Sequence, residues 1–450
     1  LLHEYLLWIF GPTSDKSIFK NVKDMLAFLG LITIGALLFL VMAKKASPIV
    51  AMIIVPILTA ILAGFRLDIF QFITEGILSI APIGVMFIFA ILFFGILADA
   101  GSFKPIIRGI LKVAGNDPAR VAVGSGVLAM TTHLDGSGAS TFLIAVPAFL
   151  PVYDQLNMKR STLACIVALA AGTMNILPWG GPTIRAASVL DVPVTTLFNP
   201  MLFPVIMGLI SVLVIAYFLG KRERQQEQAI AKTEVVVENR NDWERPKLFW
   251  VNMLMILLVI VTLVSGLVAP HIIFMIAFAV AITINYPKIK EQAEHINAHA
   301  KAVVLMVSIL FAAGCFIGIM KGAGMIEAMA ETAVLYIPEW MGNHLPALVG
   351  LIAMPASLVF DPDSFYFGIL PVLSSTTAQF GGDPLEIGRA AIVGQMTTGF
   401  PVSPLTGATF LLIGLTGIDL GSHQRKTIPY AFLVSLIILI FSFLVGAITL

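Results

Sequence analysis

From residue 26 onward the chain alternates long apolar runs with short polar or basic turns. A hydrocarbon layer of ~30 Å takes about 20 apolar residues in a helix. Runs near that length at 26–43, 48–64, 80–98, 161–190, 198–219, 248–268, 270–286, 303–320, 386–415 and 428–449 predict membrane spans. The 161–190 and 386–415 runs are long and carry Pro-Gly breaks, so each predicts a two-part helix. Regions 120–154 and 344–380 differ: each has two apolar arms joined by a polar or Pro-rich tip. An arm of about 13 residues reaches only ~20 Å, short of a crossing, so both predict re-entrant hairpins. Residues 1–24 predict an extension whose apolar patch, LLHEYLLWIF, fits an interfacial helix.

The pattern also repeats. FFGILADAG (93–101) matches FIGIMKGAG (316–324), and VALAAGTMNILPWGGPT (167–183) matches VGQMTTGFPVSPLTGAT (393–409). Between them the hairpins correspond, Pro147 with Pro371. Each half then holds three spans, a hairpin, a broken span and a last span. Five crossings are an odd number, so the second half is predicted to lie upside down relative to the first. Inverted repeats with paired discontinuous helices are the pattern of secondary transporters that bind near the bilayer midplane. Duplication for stability alone is the plainer alternative.

Composition agrees with membrane residence. Hydrophobic residues make up 58% and charged residues 12% of the 450, against roughly 45–50% and 25% in soluble domains. The net charge of +1 offers no basic surface for nucleic acid, and Cys165 and Cys315 both sit in apolar runs without a metal-binding spacing. If the polar linker 220–247 is cytoplasmic, alternating spans put twenty of the 27 lysines and arginines on its side, with the amino terminus outside.

Candidate chemistry collects at the tips and breaks. The first tip reads TTHLDGSGASTF (131–142), where Gly136 and Gly138 allow the turn and Ser140 and Thr141 are predicted to cap the returning arm. In the second, SLVFDPDSFYF (357–367), Asp361 before Pro362 predicts an N-cap and first helical residue. Both tips would aim free N–H groups toward the membrane centre, which suits an anion. Thr173, Asn175 and the Trp179–Pro182 turn face Thr397, Thr398, Ser403 and Thr406 across the two breaks, a set of hydroxyls, an amide and freed carbonyls suited to carboxylates and hard cations. Ionisable groups at this depth are functional candidates. Asp135 could ligate a cation or carry a proton, and Arg185 could grip a carboxylate bidentately or pair with Asp191. Asp361 is either a cap or a ligand, and His133 a hydrogen-bonding tip residue rather than a metal ligand. His295 and His299 are four apart, but Ile296 stands where a zinc helix needs glutamate, which predicts a solvated basic face. Ser125 reads as helix packing, and no phosphate-binding loop is present.

Taken together, LDGSG-x-ST (134–141), GTMNILPWGGPT-x-RAAS (172–188), SFYFGILPVL (364–373) and SPLTGATFLLIGL (403–415) resemble the bacterial metal–citrate:proton symporter family of the ion-transporter superfamily, from about Met25 to the C-terminus. The resemblance implies an all-α polytopic fold in a bacterial inner membrane and import of citrate complexed with a divalent cation (Mg²⁺, Ca²⁺ or a transition metal). It also implies proton coupling and a homodimer with elevator motion. No tightly bound cofactor is implied, since the cation travels with citrate. Scaffold helices would occupy 25–101 and 248–321, and transport units 102–219 and 322–450. Substrate would meet Ser137, Gly138, Ser140, Thr141, Asn175, Gly181, Thr183, Arg185, Ser364, Thr398, Ser403 and Thr406, with Asp135, Asn175, Asp361 and Asp363 at the metal and Asp135 carrying the proton. Ser137 departs from the family's usual LDGDG and removes one charged ligand. Free di- or tricarboxylate transport on sodium or protons remains the alternative, with an intramembrane metal enzyme using His133 and Asp135, or a passive channel, further behind.

Overall fold

The computed structural model describes residues 16–43, 45–224, 243–265 and 267–449. All regular structure in them is helical. The patch at 1–10 and most of the linker 220–247 lie outside the described residues.

The apolar runs become helices in the expected order: Lys16–Met42, Pro48–Leu62 and Asp68–Asp99, then a short Lys104–Ala114. The first hairpin follows as Pro118–Thr132 and Gly138–Gln155, the first broken helix as Arg160–Met174 and Gly181–Leu190, and the last helix as Leu202–Arg224. The second half runs Phe249–Ser265, Pro270–Asn285, Ile289–Gly322, Met325–Tyr336, then Leu345–Ala356 and its return arm ending at Gln379. It closes with Pro384–Gly394, Gly407–Thr416 and Leu420–Leu444. Among the described residues six helices are long and apolar enough to cross a membrane, and the broken and hairpin helices are shorter. Several starts obey one local rule: Ser47, Asp117 and Asp383 accept a first-turn N–H, and proline follows each at the position whose N–H would have no acceptor.

Three boundaries differ from expectation. The first helix starts at Lys16, inside the expected extension 1–24. The spans 80–98 and 303–320 are the apolar ends of helices of 32 and 34 residues. Their polar lead-ins still favour helix, as in the Gln71–Glu75 contact of 2.8 Å one turn apart. Hydropathy marks where a helix is greasy, not where it begins.

Left-handed residues follow helices in both halves of the chain: Gly101 and Gly324 at φ +72°, Asn157 (+52°) and Gly381 (+81°), and Asp191 (+56°) and Gly417 (+66°). The two long helices pack antiparallel along their length, Gly76 on Gly318, Gly84 on Phe311 and Gly95 on His299. At one end Gly314 and Gly318, a small-xxx-small pair, bring backbones together so closely that a Cβ on Gly76 would strike the Gly314 carbonyl. The broken helices cross in the same manner, Gly172 lying against Thr397 and Thr398. Arg160–Met174 is buried on every side from Thr162 onward, so the breaks sit in protein rather than in lipid.

Candidate functional site

At the first tip, His133–Asp135 forms one 3-10 turn, Gly136 takes a left-handed φ of +73°, and Ser137 is extended. The Asp135 carboxylate accepts the Ser137 N–H at 2.8 Å and the Ser140 hydroxyl. The capping expectation is thereby corrected. Ser137 is the cap, accepting the Ser140 N–H at 3.4 Å, because it is the extended residue just before the helix. Thr141 donates to the Ser137 carbonyl at 2.8 Å and meets His133 Nδ1 at 2.8 Å, which fits His133's expected role in hydrogen bonding. Trp179, in the first break, donates Nε1–H to the Leu134 carbonyl at 2.8 Å. Its ring stacks on Phe94, with centroids 5.3 Å apart.

The second tip is held differently. Asp361 caps the N–H groups of Asp363 and Ser364 at 3.1 Å, as expected of an Asp-Pro start. The return arm passes through a π-helical stretch, Ser364–Ile369, which turns Tyr366 so that its hydroxyl donates to the Gln395 carbonyl at 2.8 Å. Ser357 accepts the Met396 N–H at 2.8 Å and donates to the Gln395 side chain at 3.0 Å. Asn175 ties the breaks together by donating to the Met396 carbonyl at 2.8 Å, and Met396 is left-handed at φ +51°, a costly conformation for a non-glycine residue.

These pieces surround a cavity of about 510 Å³, within the ordinary range for small-molecule sites. Of the expected residues, Asp135, Ser137, Gly138, Ser140, Asn175, Gly181, Arg185 and Thr406 line it. Thr141, Thr183, Ser364, Thr398, Ser403, Asp361 and Asp363 do not. Thr183 gives its hydroxyl to the Ile176 carbonyl at 2.8 Å, inside the break. Ser403 accepts the Leu405 N–H at 3.2 Å, and Thr398 is buried with its hydroxyl unpartnered. Arg185 pairs with Asp363 and not with Asp191: its Nε donates to Asp363 Oδ1 at 2.8 Å, joining the first broken helix to the second hairpin. That pair engages one of the two carboxylate oxygens of Asp363.

The histidines are the other correction. His295 and His299 do not form a solvated face. Both contact one oxygen of Asp99, at 2.7 and 3.0 Å, because their helix packs antiparallel on Asp68–Asp99. His299 lines the cavity together with Ala302 and Met306, opposite Phe87, Ile91 and Gly95. Reading each half separately missed this. The available signal was the lapse in the repeat, since Asp99 stands where the second half has Gly322, and His299 where the first has Gly76. Among the described residues no three His, Cys, Asp or Glu side chains group so as to hold a metal by themselves.

The "Citrate transporter" family model (CitMHS) matches residues 32–394. A Bacillus subtilis protein named "Citrate transporter" is 40% identical over 427 residues, spanning 94% of this chain and 100% of its own. Another from the same organism, named "Mg(2+)/citrate complex secondary transporter", is 38% identical over 94% of this chain and 99% of its own. The fold resembles the solved YdaH transporter of Alcanivorax borkumensis (TM-score 0.61, 16% identity, 83% of this chain and 87% of that one). It also resembles MtrF of Neisseria gonorrhoeae (TM-score 0.62, 14% identity, 85% of each chain). A helical multi-pass fold that buries two interrupted helices around a cavity lined by Asp135, Asn175 and Arg185, matched by sequence along nearly its whole length, places the chain in the citrate transporter family, as a transporter and not an enzyme.

Proposed function

We propose that the protein imports citrate as its complex with a divalent cation, coupled to protons. Trianionic citrate with one divalent ion leaves a charge of −1, cheaper to move through a low-dielectric path than the free anion. The relative named for the Mg²⁺–citrate complex supports this cargo. The observation that carries the reading is the cavity itself, where Asp135, Arg185 and the first turn of Gly138–Gln155 converge with both helix breaks. Helix N–H groups and the arginine's remaining donors suit carboxylates, and Asp135 with the Asn175 carbonyl oxygen suits the cation. A proton on Asp135 would cancel its charge when the metal leaves. The antiparallel packing of equivalent helices supports an inverted repeat, in which the hairpin and broken-helix units move against the long helices, in a homodimer, as an elevator.

A second reading, transport of free carboxylates, is favoured by one observation: Asp363 is engaged by Arg185, which leaves few acids for a metal. Uptake of labelled citrate into proteoliposomes separates the two. The metal-complex reading expects uptake that needs added Mg²⁺, stops on chelation and is driven by an inward proton gradient. Uptake indifferent to chelation makes free citrate the cargo, and uptake driven by sodium alone rejects proton coupling.

A further inference from the structure

His299 interrupts an otherwise even helix pair. Gly76 and Gly318 let the long helices touch at one end, and the repeat maps that contact onto Gly95 and His299 at the other, where His299 has replaced the small residue. A Cβ on Gly95 would lie 2.7 Å from His299 Nε2, so glycine there seats the imidazole flat on its neighbour. The cavity is lined from both helices beside this contact.

The ring is fixed in orientation. Asp99 Oδ2 lies 3.0 Å from His299 Nε2 and can only accept, so Nε2 carries the hydrogen. The same oxygen takes His295 Nδ1 at 2.7 Å, and His295 is clamped between Tyr286, stacked at 3.6 Å, and the edge of Trp243 at 4.4 Å. Asp99 is therefore held from two sides. In the neutral imidazole this leaves the lone pair on Nδ1, which has no hydrogen-bond partner among the described residues. Carboxylate on one nitrogen and a free lone pair on the other is the arrangement of a metal-binding histidine with its supporting partner.

We propose that His299 is a nitrogen ligand to the metal of the transported complex, and that it biases the transporter toward transition-metal complexes over those of Mg²⁺ and Ca²⁺. The proposal rests on the metal–citrate reading above. Citrate oxygens supply most of the coordination, since no cluster of protein ligands encloses a metal alone. One imidazole then decides the preference, because it suits Ni²⁺, Co²⁺ and Zn²⁺ whereas Mg²⁺ and Ca²⁺ keep to oxygen. Asp99 is a positioning residue that acts through His299.

Uptake of Ni²⁺–citrate and Mg²⁺–citrate by the reconstituted full chain tests it. His299→Gln is expected to lower the nickel-to-magnesium rate ratio about tenfold or more, and Asp99→Asn to lower it in the same direction by less. An unchanged ratio, or equal loss for both cargoes, overturns the proposal, the latter marking His299 as a packing or carboxylate contact. Electron paramagnetic resonance of Cu²⁺–citrate bound to the purified wild type is expected to show nitrogen hyperfine splitting that His299→Gln removes, and this needs no transport. An all-oxygen spectrum in the wild type overturns the proposal as well. If wild-type uptake ignores chelators, the cargo reading itself has failed, which no variant is needed to recognise.

Discussion

Arg185 has one nitrogen committed to Asp363, and both side chains are only 13% and 10% exposed. Removing one member of such a pair strands a charge, which typically costs ~3–5 kcal/mol. Asp363→Ala should therefore lower the thermal midpoint in detergent markedly, while Arg185→Lys, which keeps the charge but not the planar fork, should weaken citrate binding more than it weakens the fold. Calorimetric titration beside a melting curve separates the two effects. Among the described residues, Asp135 accepts its hydrogen bonds from the Ser137 N–H and the Ser140 hydroxyl, with no basic side chain bonded to it. Asp135→Asn keeps the side chain's shape and the acceptor for the Ser137 N–H, turns the Ser140 contact into one in which the amide donates, and removes the proton site. Proton-driven uptake should be lost and exchange of labelled for unlabelled cargo retained; unchanged pH dependence of net uptake would acquit this residue. At this scale much was legible, because Asp135, Asn175 and Arg185 are polar residues in runs that otherwise exclude them. What Arg185 pairs with was not legible, since 178 positions separate it from Asp363.

Elements are joined by a few side chains whose loss has a defined reach. Trp179 holds the first tip to the first break through one hydrogen bond and the break to the long helix Asp68–Asp99 through its ring stacked on Phe94. Trp179→Phe keeps the stacking and gives up a bond worth about 1 kcal/mol. The expected result is a folded transporter with a looser tip, read as a several-fold drop in maximal uptake and little change in melting temperature. The long-helix crossing is less forgiving. A Cβ on Gly318 meets the Phe72 carbonyl and the Gly76 backbone, none of which can rotate away. Gly318→Val should cost ~1–3 kcal/mol or more by overpacking, seen as lost monodisperse protein on size exclusion. Gly95→Ala meets only an imidazole, which can shift, so it should fold and misplace His299. The prolines and glycines that break the helices announced these elements in the sequence. The π-helical stretch at Ser364–Ile369, from which Tyr366 reaches Gln395, did not announce itself, because nothing in the local residue pattern marks an i→i+5 turn.

Across the whole molecule, segments far apart in the chain whose sequences match lie face to face. Gly172 touches Thr397 and Thr398, and the long helices lie antiparallel. The cavity between them is lined by residues from both halves. If the hairpin and broken-helix unit slides past the long helices, Ala139 at the tip and Ala302 on the long helix must change neighbours, as both face the cavity here. Cysteines at these two positions, bridged by a bifunctional maleimide, should halt turnover, and each single cysteine treated alike should not. Full transport in the bridged double variant would rule out that motion.

The sequence by itself determined the apolar segments, the two breaks, the two tips, the internal repeat and most of the polar residues around the cavity. Those features are local: water and lipid sort residues one by one, and proline and glycine act on their own backbone. Only the tertiary structure decided which half supplies which partner, so that Arg185 meets Asp363 and the two helical histidines meet Asp99 instead of solvent. Antiparallel packing of distant helices sets those neighbours, and hydropathy carries no information about which faces will meet.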